Sequence, residues 1–144
     1  MLRTLSIIGY TGMIGGLLGL LVSRNLFSSS LLVISLQILA LGLLLWARVT
    51  FGRRSYHLGA DPTAGGLVTG GPYRYIRHPI YAAICLFTLA AVAAHWSWYA
   101  GLCGGLVSGS VVLRIICEES LVAARYPEYV RYAGTTWRMI PYVY

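Results

Sequence analysis

Four stretches of the chain run almost without charge: 5–22, 31–47, 80–94 and 98–117. Each approaches the ~20 apolar residues that carry an α-helix across a bilayer core. The pattern predicts an all-α integral membrane bundle of about four transmembrane helices in a single domain, 1–144. The third stretch is short unless it extends back through Tyr75. His95-Trp96-Ser97-Trp98-Tyr99 separates it from the fourth with the aromatics expected at a headgroup interface, which makes the last two spans a tight hairpin. Between 48 and 77 the apolar pattern lapses. Residues 59–71 hold an Asp-Pro, two Gly pairs and little periodicity, and Thr69-Gly70-Gly71-Pro72 should reverse the chain. After 117 the sequence turns polar and aromatic, and a short amphipathic helix on the cytoplasmic side is expected there. Arg24 follows the first stretch and no small-residue cleavage site closes it, so it reads as a span rather than a leader.

Composition sharpens this picture. The chain is 58% hydrophobic and 10% charged, with a mean hydropathy of +0.71, against about a quarter charged residues in soluble domains. All eleven basic residues are arginine, against four acids. In a soluble protein that excess would mark a nucleic-acid footprint. Here Arg48, Arg53, Arg54, Arg74 and Arg77 lie between spans two and three, and Arg125, Arg131 and Arg138 lie beyond span four, while the 95–97 link has none. By the positive-inside rule both termini and the middle loop face the cytoplasm, with membrane lipids rather than nucleic acid as partners. Topology accounts for Arg3, Arg24 and Arg53; it does not account for Arg77 or Arg138. Cys85, Cys103 and Cys117 fall in apolar spans without metal-ligand spacing and read as small buried hydrophobes, so no metal site is expected. His57 and His95 stand without a visible partner. Gly12, Gly15, Gly16 and Gly19, with Gly101, Gly104, Gly105 and Gly109, read as close-packing positions between helices.

The chemistry gathers at two places. In Arg77-His78-Pro79, proline suits the first turn of span three and His78 falls at its N-cap. The free N–H groups and partial positive charge of that helix end, with Arg77 and His78, make a natural place for a carboxylate. At the end of span four stand Glu118 and Glu119. One reading pairs them with Arg114 or Arg125, at helical spacing or across helices; the other turns at least one carboxylate toward a polar cofactor. The tail, through Arg125-Tyr126-Pro127-Glu128-Tyr129 to Trp137-Arg138-Met139-Ile140-Pro141, is too aromatic for disorder.

Gly71-Pro72-Tyr73, Arg77-His78-Pro79-Ile80-Tyr81, Glu118-Glu119-Ser120-Leu121 and Arg138-Met139-Ile140-Pro141, in that order around a membrane hairpin, resemble the isoprenylcysteine carboxyl methyltransferase family. The wider grouping includes phospholipid N-methyltransferases. The resemblance covers residues 66–141. Two departures stand out: Tyr126-Pro127-Glu128-Tyr129 is one residue shorter than the family's aromatic-Gly-x-x-Tyr, and only two spans precede the hairpin. The resemblance implies S-adenosylmethionine as cofactor, held by two motifs, 66–81 and 118–141. Arg77, His78 and Pro79 would take its carboxylate, Glu118 and Glu119 its amino group or ribose, and Tyr73, Tyr81 and Tyr126 its sulfonium by cation–π attraction. The expected reaction is methyl transfer to a lipophilic substrate, with O-methylation of a carboxylate favoured. That acceptor needs an orienting cation, Arg138 first and Arg125 second. The alternative is N-methylation of an amine headgroup such as phosphatidylethanolamine, with a glutamate such as Glu119 as proton acceptor. From other classes, a small multidrug-type transporter would need a proton-coupling residue inside a span. The first span has none and Arg114 is of the wrong sign; a non-catalytic membrane scaffold is the further alternative.

Overall fold

The computed structural model describes residues 1–52 and 66–144. The expectations for Arg53, Arg54, His57 and loop residues 59–65 lie outside them. Among the described residues five α-helices follow one another: α1 (Leu2–Val22), α2 (Leu31–Phe51), α3 (Pro79–Ala94), α4 (Trp98–Arg125) and α5 (Tyr129–Thr135), with a 3₁₀ turn, Gly71–Arg74, before α3. Among the described residues the only β pairing is an isolated parallel bridge between Ile76 and Trp137.

The helix ends follow local chemistry. Ser97 caps α4, its hydroxyl accepting the Ala100 N–H at 3.1 Å. α4 then runs past Cys117, through both glutamates, because nothing interrupts it before Pro127. Tyr126, the residue before that proline, is pushed to extended angles (φ −121°, ψ 98°) and ends the helix. α2 likewise continues through Arg48 and stops at Gly52, which takes a positive φ of 66°. Pro79 holds the first position of α3. The backward extension of span three through Tyr75 therefore does not occur.

α1, α2 and α4 are long and apolar enough to cross a membrane, whereas α3 has 16 residues. At 1.5 Å per residue α3 is about 24 Å long, shorter than the ~30 Å hydrocarbon core. Among the described residues three helices are thus long and apolar enough to cross by themselves, and α3 is the shorter fourth apolar helix of the predicted bundle. α1 packs on α4, α4 on α3, and α3 on α2. The helices form an arc in which α1 and α2, neighbours in sequence, stand at opposite ends. Between those ends lies a cavity of about 290 Å³, walled by α1 (Ile14, Leu17, Leu18) and α2 (Ala40, Leu41, Leu44) and floored by α3 through Ala83, Ile84 and Phe87.

Lipid tails are as apolar as leucine, so helix contacts in a membrane depend on close packing rather than on expelling water. The α1–α4 seam is built that way. Cβ atoms placed at Gly9, Gly12, Gly16 and Gly19 would meet Arg114, Ser110, Val107 and Cys103 respectively, all within 3 Å. Gly104 serves the same purpose against Val92 of α3. Gly15, Gly105 and Gly109 have nothing within 4 Å, and Gly101 only approaches Trp96 at 3.8 Å, so those four do not bring helices together. Cys103 and Cys117 are buried and Cys85 is half-buried, all as free thiols. His95 does have a partner: its Nε2 lies 2.8 Å from the Phe27 carbonyl and ties the α1–α2 link to the α3–α4 link. Gln37, buried in α2, donates to the Leu26 carbonyl at 2.8 Å and anchors the same link.

The seam predicts opposite outcomes at adjacent glycines. Gly16→Val must displace the Cys103 carbonyl, 2.8 Å from the new Cβ, and should lose about 1–3 kcal/mol. Gly15→Ala enters open space and should be neutral or gain up to ~1 kcal/mol from helix propensity. Unfolding of both variants in detergent checks the pair; equal losses would show that this seam is not the close contact.

Candidate active site

The turn before α3 starts from a steric requirement. Gly71 has φ 54°, and a Cβ there would run into the Thr50 side chain of α2. The turn buries Tyr73 against Phe51, ring centroids 5.5 Å apart. The Tyr73 carbonyl accepts the Tyr132 hydroxyl of α5 at 2.6 Å. Burial pushes the Tyr132 phenol up to about 12, so it keeps its proton to donate. Residues 75–78 then run beside the tail. Trp137 N–H donates to the Tyr75 carbonyl (3.1 Å), Arg77 N–H to the Trp137 carbonyl (2.7 Å) and His78 N–H to the Arg138 carbonyl (2.9 Å). These bonds satisfy backbone groups that the segment before a helix otherwise leaves open, and they carry Arg138 to the end of α4.

Consecutive helical residues point about 100° apart, and Glu118 and Glu119 accordingly face different groups. Glu119 faces the turn and the tail. Its Oε1 accepts from Arg77 Nε at 3.0 Å and lies 3.3 Å from His78 Nε2. Its Oε2 accepts from Arg138 Nε at 3.1 Å and Nη2 at 3.0 Å. Arg77 also donates through Nη1 to the Ala133 carbonyl at 2.8 Å and to the Thr136 carbonyl. Glu118 faces the bundle. Its Oε1 accepts from the Tyr81 hydroxyl and from Arg114 Nη2 at 3.2 Å, while its Oε2 is 3.7 Å from His78 Nδ1. The His78 ring stacks on Tyr81, centroids 5.8 Å apart.

Outside the spans, burial and then the Glu119 charge raise the Tyr129 phenol above its ordinary range. Its hydrogen bonds to Glu119, and then that carboxylate's charge, raise Arg138 further. The site therefore presents neutral phenols, paired guanidiniums and two carboxylates.

Of the residues expected from sequence, Arg77, His78, Pro79, Tyr81, Glu118, Glu119 and Arg138 come together here. Tyr73 is buried beneath the turn. Arg125 is exposed at the end of α4, its guanidinium 5.8 Å above the half-buried Tyr126 ring, and the structure does not bring it to the glutamates. The pairing reading of the glutamates holds for Arg114, which meets Glu118 at i, i+4; Glu119 meets the turn and the tail. The sequence pattern does not single out Tyr10, whose ring lies 5.1 Å from the Arg114 guanidinium, or Tyr132, and it marks Tyr129 only as the end of the shortened aromatic motif. The spacing of three between Tyr129 and Tyr132 was a signal available for α5, since it sets both rings on one helical face.

The family model described as phospholipid methyltransferase matches the chain over residues 28–129. No curated protein and no solved structure matches it. The chain belongs to the phospholipid methyltransferase family, a family of membrane methyltransferases, and its apolar helices are those of an integral membrane protein. The matched stretch contains α2, α3, α4, Arg77-His78-Pro79 and the glutamate pair. α1 and the tail with Arg138 lie outside it.

The two arginines on Glu119 should differ when shortened to lysine. Arg77 serves a carboxylate and two carbonyls at once, which an ammonium cannot reproduce. Arg77→Lys should weaken tail docking by about 2 kcal/mol and speed tryptic cleavage after Arg131. Arg138 is 39% exposed, and Arg138→Lys should change docking by no more than ~1 kcal/mol. Equal cleavage rates in the two variants would remove Arg77 as the tail's anchor.

Proposed function

We propose that this protein transfers a methyl group from S-adenosylmethionine to the amine headgroup of a membrane phospholipid, at the cytoplasmic face. The observation that carries the reading is the meeting of the Arg77-His78-Pro79 turn with Glu118 and Glu119 at the end of α4, in a chain of this family. Arginine placement supports the orientation, with both termini and the site inside the cell.

The residues fit the cofactor by their donor set. It carries a carboxylate, an ammonium, a ribose diol and a sulfonium. The turn offers a helix amino end for the carboxylate, beside the positive charge of Arg77 and the ring of His78, which Glu119 already engages, and the tyrosine rings offer electron-rich faces for the sulfonium. When bound, the cofactor supplies an electrophilic methyl group on positively charged sulfur. The chain's own work is to align the two reactants and exclude water.

A methylated amine must also give up a proton. Glu119 has cations on both oxygens, whereas Glu118 keeps one oxygen outside hydrogen-bond distance of His78. Glu118 is therefore the better proton acceptor of the two. O-methylation of a carboxylate, favoured by the arginine excess in the sequence, would draw on Arg138 as orienting cation. That guanidinium is engaged by Glu119, and this favours the amine.

The cavity between α1, α2 and α3 fits one hydrocarbon chain of the lipid. Its lining is wholly apolar. Ile84 lies one turn beyond Tyr81 on α3, and Ile14 one turn beyond Tyr10 on α1, so the cavity ends beside the tyrosines that flank Arg114. Leu17 and Ile84 of its wall pack on the same core cluster as Tyr81.

Purified protein in vesicles containing phosphatidylethanolamine, given methyl-labelled S-adenosylmethionine, should yield a labelled N-methyl lipid. An alkyl amine titrates near ~10, so its neutral fraction and the rate should rise with pH across 7–9. A prenylated thiol acid tested in parallel should remain unlabelled; its labelling, with a flat pH profile, would replace the amine by a carboxylate. For the cavity, Leu41→Trp should raise KM several-fold for a long-chain lipid and leave a short-chain soluble analogue unaffected. Equal changes for both would place the hydrocarbon chain elsewhere.

A further inference from the structure

Arg114 lies within the apolar stretch of α4 and is 4% exposed. A guanidinium at such a depth is costly and persists only where partners compensate it. Its partners come from three helices. Nε donates to the Tyr81 hydroxyl oxygen of α3 at 2.7 Å. Nη1 donates to the Ser6 carbonyl of α1 at 3.0 Å, and Nη2 to Glu118 Oε1 of α4 at 3.2 Å. The Tyr10 and Tyr81 rings flank it at 5.1 and 5.8 Å. Gly9 makes the approach possible, since a Cβ there would stand 2.9 Å from Arg114 Cγ and 3.1 Å from the Ser110 carbonyl.

The direction of these bonds follows from donor inventory. A guanidinium N–H donates and never accepts. The Tyr81 oxygen is therefore an acceptor toward Arg114, and its single proton goes to the other close partner, Glu118 Oε1. Oε1 thus receives two donors from inside the bundle. Oε2 is left with His78 Nδ1 at 3.7 Å, beyond the 2.7–3.2 Å of a hydrogen bond.

We propose that Arg114 is a positioning residue: with Tyr81 it locks Glu118 Oε1 into the bundle so that Oε2 is presented as the acceptor for an ammonium group of a bound ligand. This rests on the function proposed above. Two sources share that chemistry, the amino group of the methyl donor and the amine headgroup of the lipid. In either case Arg114 touches no reactant and acts through Glu118.

The test is a double-mutant cycle read by binding. S-adenosylhomocysteine, and its analogue lacking the α-amino group, are titrated calorimetrically into detergent-solubilised wild type, Arg114→Gln, Tyr81→Phe, Glu118→Gln and the Arg114→Gln/Glu118→Gln double variant; KM for the lipid amine is measured alongside. Tyr81→Phe removes one of the two locks, and with it the acceptor for Arg114 Nε, but keeps the guanidinium and its bonds to Ser6 and Glu118; thermal midpoints identify any variant that fails to fold. Arg114→Gln should lose about tenfold in the affected constant, the loss expected for a charge-assisted hydrogen bond. It should add less than about twofold once Glu118 is already glutamine, because the two changes act through one contact. Tyr81→Phe should lose in the same constant. A loss confined to the ligand with the α-amino group identifies the methyl donor's ammonium; a loss confined to lipid KM identifies the headgroup's. Additive losses from Arg114 and Glu118, or unchanged constants in folded Arg114→Gln or Tyr81→Phe, would overturn the proposal. Wild type that binds neither ligand would overturn the underlying reading of the site, and this proposal with it.

Discussion

Glu119 receives Arg77 and His78 on one oxygen and Arg138 on the other, and this carboxylate ties the turn before α3 and the carboxy-terminal tail to the end of α4. Its side chain is 15% exposed and that of Arg77 is 10% exposed. Charges so far from water lose solvation that a single ion pair does not restore. Here the loss is offset by many directed bonds: Arg77 reaches two tail carbonyls as well, and the backbone of 75–78 is paired with that of 137 and 138. Removal of any one member leaves the others buried with unmet charge or unmet N–H groups. The knot is therefore cooperative, and the same groups that close the fold line the candidate site.

α1 depends on a different constraint. In hydrocarbon there is little gain from bringing two apolar helices together, so α1 stays beside α4 because glycines let the backbones approach and because Arg114 grips the Ser6 carbonyl. α2 joins the bundle through α3 instead. Each outer helix has a strong partner, and neither partner is the other. The apolar cavity between them follows from that arrangement, and its position beside Tyr10 and Tyr81 follows from the chain direction of α1 and α3.

The helices were legible in the sequence because a membrane enforces them: every backbone polar group in hydrocarbon must be bonded within its own segment or barrel. Their ends were less legible. Hydropathy falls away at Cys117, but helix geometry is indifferent to hydropathy and continues until Pro127 forbids it. The candidate-site cluster was partly legible. Pro79 at the first helical position and His78 at the N-cap follow from local rules, whereas the approach of His78 to Glu119 spans 41 positions and leaves no periodic trace. The place of Arg138 depends on a three-residue pairing of the tail with 75–78, too short to carry a strand pattern. Arg114 and Glu118 were visible as an i, i+4 pair. Their links to Ser6 and Tyr81 needed the α1–α4 seam, which in turn needed Gly9 to face Arg114 rather than lipid.

The adjacency of the two glutamates lets one helix end serve two different sets of partners. Two carboxylates side by side on one helix face would repel each other and compete for the same cations. On successive helical positions they point about 100° apart, so Glu119 collects the cations of the turn and tail while Glu118 turns toward Tyr81 and Arg114. His78 approaches both, through Nε2 to Glu119 and Nδ1 to Glu118. The division requires α4 to remain helical beyond its apolar stretch; had the helix ended at Cys117, the relative directions of the two side chains would not have been fixed. It also separates the consequences of charge. Glu119 is neutralised by fixed arginines, and a ligand cation gains little from it. Glu118 holds one oxygen against Tyr81 and Arg114 and leaves the other 3.7 Å from His78 Nδ1. In the proposed reaction the second carboxylate of the pair thus acts as the frame and the first as the acceptor, and the arginine one turn before them keeps the acceptor aimed.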